Sequence, residues 1–182
     1  MNVPVRRRLF FALWPGDAER AGFAAHLDDA PSVGGRAMRA DNLHLTLAFI
    51  GDVEVARLSC LERAGAAAAR VAAPCPMIFD RLGLFPEARV LWAGMSRIPP
   101  ELCLLQSAVA REVAERCGFT LDPRPFVPHL TLRRAVDASR AVILPLMAPL
   151  AWRADALALV ESSREADGVV YRPILYWPLA GC

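Results

Sequence analysis

The tetrapeptide His-Leu-Thr-Leu occurs twice in this chain, at residues 44–47 and again at residues 129–132. In an extended strand, side chains two positions apart point to the same face. Each copy therefore presents a histidine and a threonine on one face and leucines on the other, where the leucines can pack in a core. The repeat predicts two similar strands that each carry an imidazole beside a hydroxyl.

The segments around the two copies also repeat, because a strand and then a helix precede each histidine strand. Asp17 is a suitable N-cap for the first of these helices, and Gly118 is a suitable end for the second. With only two copies, the pattern indicates a duplication inside one domain, residues 1–182, rather than a solenoid. Two such units could pack about a pseudo-twofold axis with their histidine strands facing each other across a cleft. The predicted repeat comprises strand 8–14, helix 18–27 and histidine strand 42–49, and then strand 89–95, helix 99–117 and histidine strand 126–133.

The segments outside the repeat are predicted from hydrophobic periodicity and from Gly and Pro positions. They comprise a long Ala-rich helix over 53–72, a strand over 77–84, a short helix over 135–147, and two closing strands over 152–160 and 169–177, joined through Asp167 and Gly168.

Composition excludes several function classes. The chain has 182 residues, 55% apolar and 22% charged, which is typical of a globular domain, and its net charge of +2 creates no broad field for nucleic acid or membrane. All 21 basic residues are arginine. Chemistry that needs a lysine ε-amine, such as a Schiff base or a lysyl-adenylate, is therefore excluded.

The five cysteines are odd in number and contain no Cys-x-x-Cys pair. We expect buried free thiols in a reducing compartment, without a disulfide framework or a zinc site. The arginines at 6–8 precede a short apolar run that ends at Pro15, which is too short for an export signal. We therefore expect a cytoplasmic protein with no membrane segment.

Two facing imidazoles can divide acid and base duties, since one can remove a proton from a nucleophile while the other protonates a leaving group. The threonine hydroxyls can donate to oxygens between them. A phosphodiester fits this arrangement, and it requires neither a metal nor a cofactor. A zinc site would lack a third ligand, and the remaining histidine, His26, is expected on the surface of a helix. Which histidine is the acid stays open at this point.

Several stretches together resemble the RNA 2′,3′-cyclic phosphodiesterase family, also called 2′-5′ RNA ligase, of the two-histidine phosphoesterases. The resemblance covers nearly the whole chain and is carried by residues 8–13, 42–51, 89–92, 124–132 and 176–179. It implies an α+β fold of two pseudo-twofold-related lobes, each an antiparallel sheet with outer helices, and an active-site cleft between them. It also implies hydrolysis of a terminal 2′,3′-cyclic phosphate of RNA to a 2′-phosphomonoester.

The same resemblance implies roles for individual residues. His44 corresponds to the proton donor and His129 to the proton acceptor, whereas Thr46 and Thr131 would hold phosphoryl oxygens. The remaining substrate-binding candidates are Arg134, Arg124 and Phe126. Strand alternation alone would point Arg133, not Arg134, to the histidine face. The chain departs from the family pattern at residues 37–39, where an aromatic is common, so the loop that contacts the nucleotide is expected to differ.

Two other functions are compatible with these residues. One is ATP-independent, reversible 2′-5′ RNA ligation, and the other is a non-catalytic RNA-binding or nucleotide-binding module. The expected partners are RNA ends or nucleotides that bear a 2′,3′-cyclic phosphate, such as tRNA halves. We expect a monomer.

Overall fold

The computed structural model of the protein describes residues 4–29, 34–137, 148–166 and 168–180, and for residues 26–29 the backbone only. The prediction for His26 therefore lies outside the described side chains, as does most of the helix predicted over 135–147. The helices are α1 (Asp17–Asp29), α2 (Leu58–Arg70) and α3 (Pro100–Cys117). The strands are β1 (Arg6–Leu13), β2 (Arg36–Ala37), β3 (Leu45–Glu54), β4 (Cys75–Phe79), β5 (Arg81–Phe85), β6 (Val90–Gly94), β7 (Leu130–Arg134), β8 (Leu150–Ala154), β9 (Ala156–Glu165) and β10 (Gly168–Pro178).

The described strands pair antiparallel, which confirms the predicted α+β class. The larger sheet has the order β10-β9-β1-β3-β7-β6-β5, with β2 paired to β7, and a separate sheet pairs β4 with β8. The two halves of the larger sheet are therefore continuous, but they meet at one pair only, Leu45 on β3 opposite Leu130 on β7.

The halves of the larger sheet have matching order from the outside to the centre, β9-β1-β3 on one side and β5-β6-β7 on the other. The succession β1-α1-β3 recurs as β6-α3-β7. Both histidine strands also contain an extra residue directly after the threonine. Leu47 has no partner on β1 and Leu132 none on β6. Such an extra residue is a β-bulge, which shifts the alternation of side chains beyond it. The matching bulges support the predicted duplication.

The two faces of the sheet have different environments. One face packs on the helices and forms the main core, in which Phe11, Leu13 and Leu45 are fully buried. The opposite face of the first half carries a small apolar cluster, which includes Phe10 and Val160. Burial of apolar surface on the helix side stabilises the sheet, and the other face remains available for a site.

Helix α3 agrees with its prediction, whereas the segment before α2 does not. Gly118 ends α3 in the left-handed conformation, with φ at 64°, and its N–H bonds to the Ala114 carbonyl. The predicted stop of β3 at Gly51 is wrong. Gly51 has φ at 87° and lies at a second bulge, so the strand continues to Glu54 and α2 begins only at Leu58.

Two predicted strands are each divided in two. The segment predicted over 152–160 breaks at Asp155 into β8 and β9, and the segment over 77–84 breaks at Asp80 into β4 and β5. Asp80 holds its corner because its carboxylate accepts from the backbone N–H of Ser96 at 2.7 Å and from the Ser96 hydroxyl. These hydrogen bonds depend on tertiary contacts that periodicity does not contain.

The prediction for the cysteines is partly wrong. Cys60 on α2 and Cys117 at the end of α3 form a disulfide, with their Cα atoms 5.8 Å apart. The packing of α2 on α3 brings them together across the outer face of the sheet. Cys75 is a buried free thiol as expected, whereas Cys103 is exposed, and Cys182 lies outside the described residues.

Helix α1 begins one residue earlier than expected. The backbone N–H of Arg20 bonds to the Gly16 carbonyl at 2.9 Å, so Gly16 rather than Asp17 is the N-cap. None of the helices in the described ranges is both long enough and apolar enough to cross a membrane.

Candidate active site

Both histidines of the repeat are held in the same way. Each lies one residue before its strand begins, and each Nδ1 lies 2.7 Å from the backbone carbonyl oxygen two residues earlier, of Asn42 for His44 and of Val127 for His129. A carbonyl can only accept a hydrogen bond, so Nδ1 carries the proton in both rings. Nε2 is then the atom that can exchange a proton with a substrate.

His44 is enclosed by three aromatic rings. Phe10 and Tyr171 lie with their ring centroids 4.9 Å from the imidazole, and Trp14 stacks on it at 5.6 Å with an interplanar angle of 10°. This burial lowers the pKa of His44 to about 4, against the opposing effect of the Asn42 carbonyl. The charges of Arg134 and His129 lower it further.

His129 has fewer aromatic neighbours and a smaller shift. Phe85 meets its ring edge-on at 4.9 Å, and Trp92 lies at 6.2 Å. Burial lowers the pKa of His129 below its usual value, the Val127 carbonyl opposes this, and the charge of Arg134 adds to the decrease. Arg134 therefore acts on both imidazoles.

Asn42 connects the first histidine to strand β10. Its side chain is buried, at 4% exposure, and the amide Nδ2 donates to the Val169 carbonyl at 2.8 Å. Its Oδ1 accepts from the backbone N–H of Tyr171 at 3.0 Å. The same residue thus orients His44 through its backbone and fixes the strand that supplies Tyr171.

A cavity of about 570 Å³ opens beside His44. Its walls combine polar and cationic side chains with aromatic and apolar ones, and among the described residues no carboxylate lines it. The lining comprises Arg8, Phe10, His44, Thr46, Phe49, Arg134, Ser162, Ser163, Arg164, Val169 and Tyr171.

The bulge at Leu132 explains why Arg134 rather than Arg133 reaches the site. The extra residue shifts the alternation of β7, so simple alternation, which would have pointed Arg133 to the histidine face, no longer applies. Arg134 lines the cavity, and its charge lowers the pKa of both histidines.

The other predicted site residues lie in different places. Thr46 lines the cavity with His44, whereas Thr131 is half-buried and lies opposite Trp92 in the sheet. Arg124 is exposed and paired with Asp122, with Nε 2.9 Å from a carboxylate oxygen. Phe126 packs on the main core. The structure therefore brings neither Arg124 nor Phe126 to the cavity.

Trp92 occupies a tightly fitted place beside His129. A Cβ on Gly83 would lie 2.0 Å from its ring, and one on Gly94 would lie 2.5 Å from it, so the indole needs glycine at both positions. The indole Nε1 is buried and has no hydrogen-bond partner in the described structure.

Four aromatic neighbours of the histidines were not identified from the sequence. They lie far apart along the chain, so no local pattern could have identified them. Three of them reach His44 only when β1, β3, β9 and β10 pair, and Phe85 reaches His129 only when β5, β6 and β7 pair. The sequence pattern before Pro15 predicts only a buried strand. These residues are Phe10, Trp14, Phe85 and Tyr171.

In the described ranges, no group of three or more His, Cys, Asp or Glu side chains is arranged to hold a metal ion. The site itself supplies two imidazoles, threonine hydroxyls and arginines. This set can bind an anion and move protons on its two sides.

Comparison with known proteins gives a consistent result. Residues 16–92 match the family model described as LigT like phosphoesterase. The RNA 2′,3′-cyclic phosphodiesterase of Escherichia coli is 34% identical over 176 residues, covering 95% of this chain and 97% of that protein. The protein of the same name from Thermus thermophilus is 30% identical and covers 96% of this chain and 91% of its own length.

The fold of this chain also matches that of solved structures. The crystal structure of E. coli LigT complexed with 3′-AMP superposes with a TM-score of 0.86 at 32% identity, covering 97% of this chain and 99% of that one. Together with the paired His-x-Thr strands, this likeness over nearly the full length of both chains shows that the chain belongs to the LigT-like phosphoesterase family.

Proposed function

We propose that this protein is a phosphoric diester hydrolase that opens the terminal 2′,3′-cyclic phosphate of RNA to a 2′-phosphomonoester. The observation that carries the proposal is the matched pair of histidines, each with Nδ1 bonded to a carbonyl so that Nε2 is available, with Arg134 acting on both. The names of the relatives support the same reaction.

The proposed step uses one water and no cofactor. Nε2 of His129 takes a proton from the water as its oxygen attacks phosphorus. The bond between phosphorus and the 3′-oxygen breaks, and His44 gives the proton on its Nε2 to that oxygen. The product has a 2′-phosphate and a free 3′-hydroxyl, and a proton exchange with solvent restores both imidazoles.

Arg134 and the threonines would stabilise the charge on the phosphoryl oxygens. Thr46 lies in the cavity beside His44, and the guanidinium of Arg134 can supply charge-assisted hydrogen bonds. A negative phosphoryl group between the histidines would also raise the pKa of His44, which the free site holds at about 4. Substrate binding itself would therefore help His44 to carry the proton that it must donate.

The substrate class is supported by the neighbours. E. coli LigT was crystallised with 3′-AMP, which supports a nucleotide in the cavity, and the names of the relatives support an RNA end. Within this proposal the protein acts as a monomer in the cytoplasm, on ends such as those of tRNA halves.

The experiment is phosphorus NMR of adenosine 2′,3′-cyclic phosphate incubated with the protein and a chelator. We expect a 2′-phosphate from the wild type and none from His129→Ala on the same timescale. His26→Ala removes the third histidine and serves as the matched control. Formation of 3′-phosphate would contradict the proposed bond cleavage, and binding without any product would favour the non-catalytic module.

A further inference from the structure

The cavity holds more positive charge than a cyclic phosphate needs. Arg8, Arg134 and Arg164 all line it, and none of the described lining residues is acidic. A 2′,3′-cyclic phosphate carries a single negative charge, and Arg134, which acts on both histidines, is placed to meet it. Arg8 and Arg164 are therefore not needed to neutralise the cyclic phosphate.

Arg8 and Arg164 lie together, on the side of His44 away from the sheet seam. Arg8 faces Ser162 across the β1–β9 pair, and Arg164 follows two positions later on β9, on the same face as Ser162. Ser162 also lines the cavity. The pair thus forms one cationic patch with a hydroxyl between its members.

The strand geometry places Arg8 close to the first histidine. Phe10 contacts His44, and the Cα atoms of Phe10 and Arg8, two residues apart on β1, are separated by about 7 Å at the usual rise of a β-strand. This is comparable with the spacing of consecutive phosphates along a nucleic-acid strand. A nucleotide with its cyclic phosphate at His44 could therefore present its 5′-phosphate to Arg8 and Arg164.

Neither guanidinium is strongly engaged by the protein. The nearest carboxylate to Arg8 is that of exposed Asp52, 3.8 Å away, and its guanidinium lies over the ring of Phe49 at 4.8 Å. Among the described residues, Arg164 has no ion pair. An arginine with only one long, exposed ion pair, or with none, is available to a phosphate.

We infer that Arg8 and Arg164 form a second phosphate subsite, which binds the phosphate on the 5′ side of the terminal nucleotide. The inference rests on the proposed function, because it takes the cyclic phosphate to be bound at His44. It specifies the substrate class as an RNA strand, or a 5′-phosphorylated nucleotide, rather than a lone nucleoside cyclic phosphate.

The test compares two substrates that differ by one group, adenosine 2′,3′-cyclic phosphate and its 5′-phosphorylated form. We expect wild-type kcat/KM to be about tenfold higher for the 5′-phosphorylated substrate, as one charge-assisted interaction provides. In Arg8→Gln/Arg164→Gln we expect this ratio to fall to about one, and in wild type we expect it to fall with added salt.

The matched control is Arg7→Gln/Arg153→Gln, which removes two positive charges outside the cavity lining, those of half-buried Arg7 and exposed Arg153, and should keep the wild-type ratio. Arg164→Gln alone breaks no ion pair of the described structure and checks that the effect does not come from misfolding. A wild-type ratio near one, or a high ratio that survives in the double variant, would overturn the inference. Failure of wild type to hydrolyse either substrate would instead overturn the proposed function.

Discussion

The two halves of the sheet present like imidazoles in unlike surroundings. Each histidine has the same Nδ1 hydrogen bond at the same 2.7 Å, and each histidine strand has a bulge directly after its threonine. Yet three aromatic rings surround His44 and two surround His129. The backbone therefore holds the two histidines in the same way, whereas the neighbouring side chains give the two rings different environments.

The residue three positions after each threonine also differs between the two halves, although its place on the strand is equivalent. It is Phe49 in the first half and Arg134 in the second, and both line the cavity. Equivalent backbone positions thus supply an apolar ring on one side and a cation on the other. A duplicated framework can in this way hold a substrate in one direction, because its two ends meet different chemistry.

The largest expected effect tests whether both imidazoles are needed. We expect His44→Ala and His129→Ala each to lower kcat/KM by about 10²- to 10⁴-fold, the range typical of a lost general acid or base. Because the two act in one step, the double variant should lose less than the product of the single losses. Steady-state rates on a cyclic nucleotide provide the measurement. If either single variant kept the wild-type rate, the division of roles would be wrong.

Arg134→Gln tests the residue whose charge lowers the pKa of both histidines. We expect kcat/KM to fall about 10- to 100-fold through loss of a charge-assisted contact with the phosphoryl group. The pKa of both histidines should rise, because the charge of Arg134 lowers both. NMR titration of the imidazole C–H signals checks this, with Arg133→Gln as the control for a neighbouring charge. Unchanged pKa values of both histidines in Arg134→Gln would mean that Arg134 does not act on the two imidazoles.

Two substitutions disturb the surroundings of one histidine each. Asn42→Ala leaves the Val169 carbonyl and the Tyr171 N–H without their partner, which we expect to cost about 1–3 kcal/mol of unfolding free energy.

Gly83→Ala forces a Cβ into the ring of Trp92, which we expect to cost about 1–3 kcal/mol of unfolding free energy.

Urea denaturation and NMR together measure both effects. The signal of His44 should shift in Asn42→Ala and that of His129 in Gly83→Ala, each with little change in the other ring. Leu104→Ala is a suitable control, because this exposed side chain on α3 lies outside both histidine environments. Equal shifts of both rings in either variant would mean that the two environments are not separate.

The smallest expected effect is the dependence of stability on pH. The pKa of folded His44 is lowered to about 4, so between about 6.5 and 4 the unfolded state binds a proton that the folded state does not. Stability should therefore fall as pH falls through this window, by roughly 1–2 kcal/mol after discounting for partial exposure. His44→Ala should remove more of this loss than His129→Ala. Denaturation curves from pH 4 to 8 provide the measurement, and a greater effect of His129→Ala would reverse the comparison.

Local sequence signals predicted the elements that depend on local chemistry. The histidine strands, and α3 between Pro100 and Gly118, were predicted from alternation, from proline and from the glycine that ends the helix. A glycine followed by an aspartate is typical of a turn unless the partner strand is known. The extension of β3 through Gly51 could therefore not be predicted from the sequence. The aromatic rings around His44 were missed for the same reason, since they meet only across paired strands.

The repeat supplied the sequence signal for two residues of the cavity wall. His44 and Thr46 line the cavity, whereas His129 and Thr131, predicted from the same repeat, are not among its lining residues. Arg134 also lines the cavity, and it was implied by the family resemblance rather than by simple alternation. Arg124 was predicted for the substrate but is paired with Asp122, because a neighbouring carboxylate two residues away competes for it. Disulfide formation between Cys60 and Cys117 could not be predicted from spacing, since it depends on how α2 and α3 pack.

The disulfide has a consequence for limited proteolysis. The exposed turn at residues 86–89 lies between the two cysteines along the chain, and it also lies between His44 and His129. A single trypsin cut after Arg89 would give one fragment with His44 and Cys60 and another with His129 and Cys117. The two fragments would migrate as one species in denaturing electrophoresis and separate only when reductant is added. His44 and His129 would therefore remain covalently linked after the main chain is cut.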